Sequence, residues 1–269
     1  MSEPIITLKK INKSYGKKKV LEDVNLVIYK GDIFGLVGKN GAGKTTMFKI
    51  ILGLSDYSSG EVHVGHEGDS IEEGRSRVGF FVGQNMFGYM TARQNLEYYR
   101  RLKNVKDPNE VDRVLKLVEL DNVKTKVSGF SMGMKQRLGI ANALLGNPEV
   151  IILDEPTNGL DPQGIADIRN LIGRMNRELG ITVIVSSHIL GELQNTAHKF
   201  AILNDGKIAR ILTDDDLKVS NDYVRIKVDD VEKAREVLGE AGIKIYNEAS
   251  DKRSLEEYYF ELIGGSANE

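Results

Sequence analysis

The stretch Gly38-Lys39-Asn40-Gly41-Ala42-Gly43-Lys44-Thr45-Thr46 follows directly on the apolar run Ile33, Phe34, Gly35, Leu36, Val37, which places a glycine-rich loop at the end of a strand. Gly38, Gly41 and Gly43 let the backbone bend sharply and turn its N–H groups inward, and a helix starting near Lys44 adds the positive end of its dipole. A triphosphate fits such a cradle. Lys44 can reach the β- and γ-phosphates, and the Thr45 hydroxyl can ligate Mg²⁺. A glycine-rich turn with a chance Lys-Thr pair is the competing reading; the strand before and the helix after speak against it.

Upstream, Ile5 to Leu8 and Val20 to Ile28 read as strands, the second with Leu21, Val24, Leu26 and Ile28 in partial alternation, and a polar turn at Lys13 to Lys19 separates them. Downstream come a Ser-Ser-Gly turn at Ser58 to Gly60, a short strand at Glu61 to Val64 and an apolar run at Val78 to Val82, with Gln84 just beyond. From Thr91 to Leu145 the pattern turns helical: Val111, Val114, Leu115 and Val118 recur at helical spacing, and a further helix follows Ser131. Strands return at Glu149 to Leu153 and Ile181 to Val185 with a helix at Ile165 to Leu179 between them, the pattern of a parallel crossover. Asp205-Gly206 between two apolar runs predicts a hairpin. A strand at Tyr223 to Val228, a helix at Val231 to Leu238, a strand at Ile243 to Tyr246 and a helix at Ser254 to Leu262 suggest a small α/β appendage.

A chain of 269 residues holds one large α/β domain plus such an appendage, and 41% hydrophobic content supports a real core. Thirty-seven basic against 39 acidic residues leave a net charge of −2, so no overall basic field favours nucleic acid. No apolar run reaches the roughly 18 to 20 residues that span a bilayer, and the N-terminus lacks the apolar core of a secretion signal. A soluble, intracellular chain is the expectation. The absence of cysteine excludes disulfides, thiolate metal sites and cysteine nucleophiles.

Asp154 and Glu155 end the buried-looking strand Val150, Ile151, Ile152, Leu153. Adjacent side chains at a strand end diverge, so one carboxylate can face the Mg²⁺ surroundings and the other an attacking water. Alone, such a pair is usually a solvated turn; the phosphate loop upstream reverses the odds, because nucleotide hydrolysis requires both groups. His188, after Ser186 and Ser187, can bond a γ-phosphate or orient its water, or is an ordinary surface histidine. Gln84 occupies a comparable strand end and can sense Mg²⁺ or the water. Tyr15 is either a stacking platform for adenine or a half-exposed strand tyrosine. Ser131-Met132-Gly133-Met134 opens a helix, as a second anion site or as a simple cap.

Taken together and in this order, these positions resemble the nucleotide-binding subunit of ATP-binding-cassette transporters over about the first 215 residues. GKNGAGKTT at 38–46 looks like the Walker A loop, Gln84 like the Q-loop glutamine, and VIILDEPTNGLDP at 150–162 like the Walker B strand, catalytic glutamate and D-loop. His188 resembles the switch histidine and Tyr15 the adenine platform. FSMGMKQR at 130–137 is similar to the family signature LSGGQ, departing from it at Met132 and Met134. The FS-x-GM-x-QR form, with SLEEYYFELIGG at 254–265, looks most like the bacitracin and lantibiotic exporter branch.

The resemblance implies an α/β phosphate-loop NTPase core with a parallel sheet, antiparallel strands on its N-terminal side and a helical subdomain at about 87–147, all within residues 1–218, followed by a small α/β appendage at 219–269. It implies ATP hydrolysis with ATP and Mg²⁺ as ligands. Lys44 would neutralise the phosphates, Thr45 would ligate the metal, Asp154 would hold it from one shell out, Glu155 would be the general base, and His188 and Gln84 would position the reacting groups. Residues 38–46, Tyr15 and Asp161 would hold the nucleotide, while Ser131 and Gly133 of an opposed copy would complete the site. The expected assembly is a homodimer around an ATP sandwich, bound to a separate membrane permease at the inner face of the cell membrane, with no nucleic acid. A soluble cassette ATPase acting on DNA or the ribosome is the alternative, disfavoured by the lack of heptads and by single motif copies. Phe87, Tyr89 and Met90, just after Gln84, are expected to dock a short cytoplasmic helix of the permease, with core packing as the competing role.

Overall fold

The computed structural model describes residues 3–82, 86–213, 215–216 and 231–243. In chain order its elements are β1 (Pro4–Tyr15), β2 (Lys18–Tyr29), β3 (Ile33–Val37), α1 (Lys44–Ile51), β4 (Ser59–Val64), α2 (Ile71–Ser76), β5 (Val78–Phe81), α3 (Ala92–Leu102), α4 (Glu110–Leu117), α5 (Met132–Leu144), β6 (Val150–Leu153), α6 (Pro162–Leu179), β7 (Thr182–Ser187), α7 (Leu190–Gln194), β8 (Lys199–Asn204), β9 (Lys207–Thr213) and α8 (Val231–Glu240). The chain divides into two compact units, residues 1–211 and 212–269. Of the second, α8 is described; the expected strand at Tyr223 to Val228, the helix at Ser254 to Leu262 and all but Ile243 of the intervening strand lie outside the described residues.

β1, β2 and β4 form an antiparallel sheet in the order β2-β1-β4. β1 runs well past the expected end at Leu8, and the segment expected as a polar turn, Lys13 to Lys19, is mostly paired strand: Ser14 faces Lys19 and Tyr15 faces Lys18, so only Gly16 and Lys17 turn. Backbone pairing does not require apolar side chains, and this end of the ribbon is exposed on both faces. The partial alternation of β2 also has a cause. Lys10 and Asp23 take positive φ, 50° and 48°, and the register shifts around Ile11 and Val24, so Leu21 and Val24 both enter the core although three residues apart.

The second sheet has the order β5-β6-β7-β3-β8-β9. β5, β6, β7, β3 and β8 pair in parallel. Both faces are covered, which is why VIIL and TVIVSS are buried at every position. Phe34, Leu36, Val150, Ile152 and Ile184 share one core with Met47, Phe48 and Ile50 of α1 and with the antiparallel sheet. The alternate face meets helices: a Cβ on Gly79 would lie 2.0 Å from the Ala143 carbonyl oxygen of α5, and one on Gly139 2.2 Å from the Phe81 ring. The Asp205-Gly206 hairpin forms as expected, with φ of 45° and 77°, the two positive values of a type I′ turn. α2 and α7 were not expected. α2 carries a capping box between Ser70 and Glu73. Its Arg75 donates to Ile51 O at 2.9 Å and Ile50 O at 3.1 Å, satisfying carbonyls at the C-terminal end of α1. Among the described residues no helix is long and apolar enough to cross a membrane.

At the edge where β5 and β6 begin, His66 bridges two carboxylates, 2.7 Å from Glu3 and 2.9 Å from Glu149. Arg77 and Lys30 lie 3.0 and 3.4 Å from Glu149, and Asp69 accepts the His66 backbone N–H. The bonds to Glu3 and then Glu149 hold the imidazole above its ordinary pKa. The folded state therefore binds the proton more tightly than the unfolded chain: this stabilisation is complete below the ordinary histidine value and is lost as pH rises through the raised one. The thermal midpoint of the protein should exceed that of His66→Gln most below the ordinary histidine pKa, with the gap closing as pH rises through the raised one. A pH-independent gap would contradict this role of the bridge.

Candidate functional site

Because β6, β7 and β3 are parallel neighbours in register, with Leu153 beside Val185 and Val37 beside Ser187, the segments that leave them emerge at one edge of the sheet. The loop after β3 requires bare backbone. A Cβ on Gly38 would sit 2.6 Å from the Leu203 carbonyl oxygen; Gly43 has φ of 111°, and its Cβ would meet Leu21 at 2.8 Å and the Val20 carbonyl at 2.9 Å. Lys39 accepts the Ala42 N–H at 3.1 Å, while Lys39, Asn40 and Gly41 are exposed. α1 begins at Lys44 with no side-chain cap and no acidic residue in its first turn. Its first N–H groups and dipole end are thus left for an anion.

Lys44 is only 4% exposed. Its ammonium donates to Gly38 O at 2.6 Å and Lys39 O at 3.3 Å and lies 3.2 Å from Glu155 Oε1. The other Glu155 oxygen is 3.3 Å from His188 Nδ1. Asp154 points elsewhere: its Oδ2 accepts the Thr45 hydroxyl at 2.6 Å, so the divergence expected of the two carboxylates is present. Glu155 takes φ of 50°, a costly value for a residue with a Cβ, at the point where the chain turns out of β6.

Ser186, fully buried at the end of β7, was not singled out in the sequence. Its hydroxyl donates to Asp154 Oδ1 at 2.6 Å and accepts the Glu155 N–H at 2.9 Å, fixing both acidic residues at once. Two serines closing an otherwise apolar strand were the available signal, since a buried hydroxyl must find partners.

Tyr15 ends β1 and is 51% exposed. Its hydroxyl lies 3.3 Å from Ser55 Oγ and the Lys13 ammonium 4.7 Å from its ring centre. The Ser55 bond, reinforced by Lys13, Thr46 and Lys49, holds the phenol below its ordinary pKa. Ser131 caps α5 by accepting the Met134 N–H at 3.3 Å, and Met132 is exposed. A Cβ on Gly133 would be 3.9 Å from Leu160. Asp161 caps α6 by accepting the Gly164 N–H at 2.9 Å. Among the described residues no hydrogen bond or ion pair joins Ser131, Gly133 or Asp161 to the Lys44 cluster, and Gln84 lies outside the described residues.

The cluster thus combines one buried cation, a hydroxyl and carboxylate side by side, and a second carboxylate against an imidazole. Among the described residues no group of three or more His, Cys, Asp or Glu side chains could hold a metal by itself. The adjoining Thr45 and Asp154 oxygens suit Mg²⁺, which binds few protein groups and completes its octahedron with water and phosphate oxygens.

The sequence pattern of the ABC transporter family matches residues 21–158. The chain is 35% identical to the bacitracin transport ATP-binding protein BcrA of Bacillus licheniformis, over 97% of this chain and 98% of that protein. It is 38% identical to the lantibiotic transport ATP-binding protein SrtF of Streptococcus pyogenes, over 76% of this chain and 89% of that one. Among solved structures, a dimeric post-hydrolysis state of the ATP-binding cassette MJ0796 bound to ADP and Pi superposes with a TM-score of 0.69 at 30% identity, covering 78% of this chain and 99% of that one.

Proposed function

Because this chain belongs to the ABC transporter family, as an ATP-hydrolysing cassette, we propose that two copies close on Mg·ATP and drive a separate membrane permease that exports a peptide antibiotic or drug-like molecule. The observation that carries this reading is the Lys44–Glu155–His188 cluster beside the Thr45–Asp154 pair. Lys44 and the N–H groups of residues 38–46 neutralise the phosphates, and Tyr15 stacks on the base. Mg²⁺ would be held by Thr45 with Asp154 beside it, and when bound it would supply charge neutralisation to the phosphates; Gln84 is assigned to the same metal from its sequence alone. Glu155 accepts the proton as the water oxygen bonds to the γ-phosphorus. The bond from that phosphorus to the β,γ-bridging oxygen breaks and ADP leaves, with His188 orienting the γ-phosphate.

Ser131 and Gly133, joined to the cluster of their own chain by no hydrogen bond among the described residues, serve the nucleotide of the opposed copy, and Asp161 contributes to nucleotide binding. The exporter substrate rests on the named activities of the bacitracin and lantibiotic relatives. Placement at the inner face of the membrane follows from the permease.

The permease surface is centred on Tyr89. Phe87, half-buried, packs against Tyr89, Tyr98 and Tyr99, with ring centres 5.8, 5.0 and 6.3 Å away. The fully buried Asn95 clamps it by accepting the Phe87 N–H at 2.8 Å and donating to the Phe87 carbonyl at 3.1 Å. Tyr89 is left 66% exposed on this rigid base, an aromatic anchor of the kind that dominates interfaces. Tyr89→Glu should sharply reduce permease recovery in pull-downs from detergent extracts, and transport with it, while nucleotide titration of the isolated subunit is unchanged. Full permease binding would reject this surface, and loss of nucleotide binding as well would mark damage to the core.

A further inference from the structure

The turn that carries His188 and the segment that leaves Glu155 are tied by one carboxylate oxygen. Glu192 Oε2 accepts the Thr157 hydroxyl at 2.5 Å and the Ser187 hydroxyl at 3.4 Å. Thr157 lies two residues beyond Glu155, and Ser187 immediately precedes His188. The Ser187 oxygen also accepts the Ile189 N–H at 2.9 Å, so it grips the turn from both sides of the histidine. Ser187 itself is fixed by the ladder, beside Val37 at the end of β3.

Glu192 sits on α7, whose five residues are too few for a helix stable by itself and whose start at Ile189 has no side-chain cap. Tertiary contacts must therefore hold it: Leu193 is buried, and the Thr196 hydroxyl donates to the Glu192 carbonyl at 2.8 Å. Those contacts anchor the helix to its own surroundings. The carboxylate reaches across to the segment after Glu155, in a cleft that Arg169 also lines. Hydrogen bonds to an ionised carboxylate are short and about twice as strong as neutral ones, which suits a tether between two loops.

We propose that Glu192 is a positioning residue for hydrolysis: through Thr157 and Ser187 it sets the spacing between the carboxylate of Glu155 and the imidazole of His188. The proposal rests on the roles of Glu155 and His188 given above. It also links the γ-phosphate side of the site to residues 157–161, so that movement of the histidine turn is felt at Leu160 beside Gly133.

Glu192→Ala should lower kcat on the order of tenfold to a hundredfold, the scale of a 1 Å misplacement of reacting groups, with KM for Mg·ATP and the thermal midpoint little changed. Thr157→Val should lose the same factor, and the double variant should be no worse than either single one. Glu192→Gln, whose amide oxygen still accepts the Thr157 hydroxyl, should recover most of the rate. The His188 imidazole resonance should shift in Glu192→Ala and Thr157→Val and return in Glu192→Gln. Wild-type kcat in Glu192→Ala, multiplicative losses in the double variant, or an unmoved His188 resonance would each overturn the tether. If the unsubstituted protein showed no turnover, the roles of Glu155 and His188 would fall instead, and the resonance would still decide the tether.

Discussion

Lys44→Ala should abolish productive Mg·ATP binding and reduce turnover by on the order of 10² or more, the scale on which single charge-stabilising donors act in phosphoryl and acyl transfer. The ammonium is buried in the loop, within hydrogen-bond reach of the Gly38 and Lys39 carbonyls and 3.2 Å from Glu155. It is the cation placed to follow the phosphates into the cradle. Its removal also leaves the Gly38 carbonyl without that partner, at a cost of about 1–3 kcal/mol to the nucleotide-free fold. That is a small fraction of the stability of a domain this size, so the variant should remain folded. Calorimetric titration should show affinity collapsing while thermal unfolding stays cooperative; unchanged affinity and turnover would remove the phosphate-cradle assignment.

Glu155→Gln should separate binding from chemistry. The amide keeps the shape of the carboxylate but cannot accept the water's proton, so the rate should fall roughly 10² to 10⁴-fold while ATP affinity persists. The carboxylate stands between Lys44 and His188, bonded to neither covalently nor held by Asp154, whose oxygens are taken by Thr45 and Ser186. The two acids are therefore not interchangeable, and a neutral replacement at Glu155 leaves the Thr45–Asp154 pair intact. Single-turnover hydrolysis should be slow at saturating Mg·ATP. A variant that turns over at the wild-type rate would sink the general-base role.

What the sequence disclosed best were the parts whose chemistry demands contiguous residues. A phosphate cradle needs glycines, a lysine and a hydroxyl within one loop, and a strand ending in Asp154-Glu155 shows in a run of apolar letters. The adjacency of Lys44 and Glu155, 111 positions apart in sequence, became legible only through the order of the loops along a parallel sheet. Ser186 and Glu192 stayed hidden because nothing local marks them: a serine at a strand end and a glutamate on a short helix are ordinary until the fold shows which hydrogen bonds they complete. The Lys13 to Lys19 ribbon was misread for the converse reason, since pairing of β1 with β2 runs through backbone groups that side-chain polarity does not report. Glu155's positive φ, too, is a property of the turn out of β6 and not of its neighbours in sequence.

The central claim is that hydrolysis belongs to a pair of these chains closed around ATP. Multi-angle light scattering of Glu155→Gln, with and without saturating Mg·ATP, tests it most directly: the account predicts monomer mass without nucleotide and twice that mass with it, whereas monomer mass at saturating Mg·ATP would contradict it.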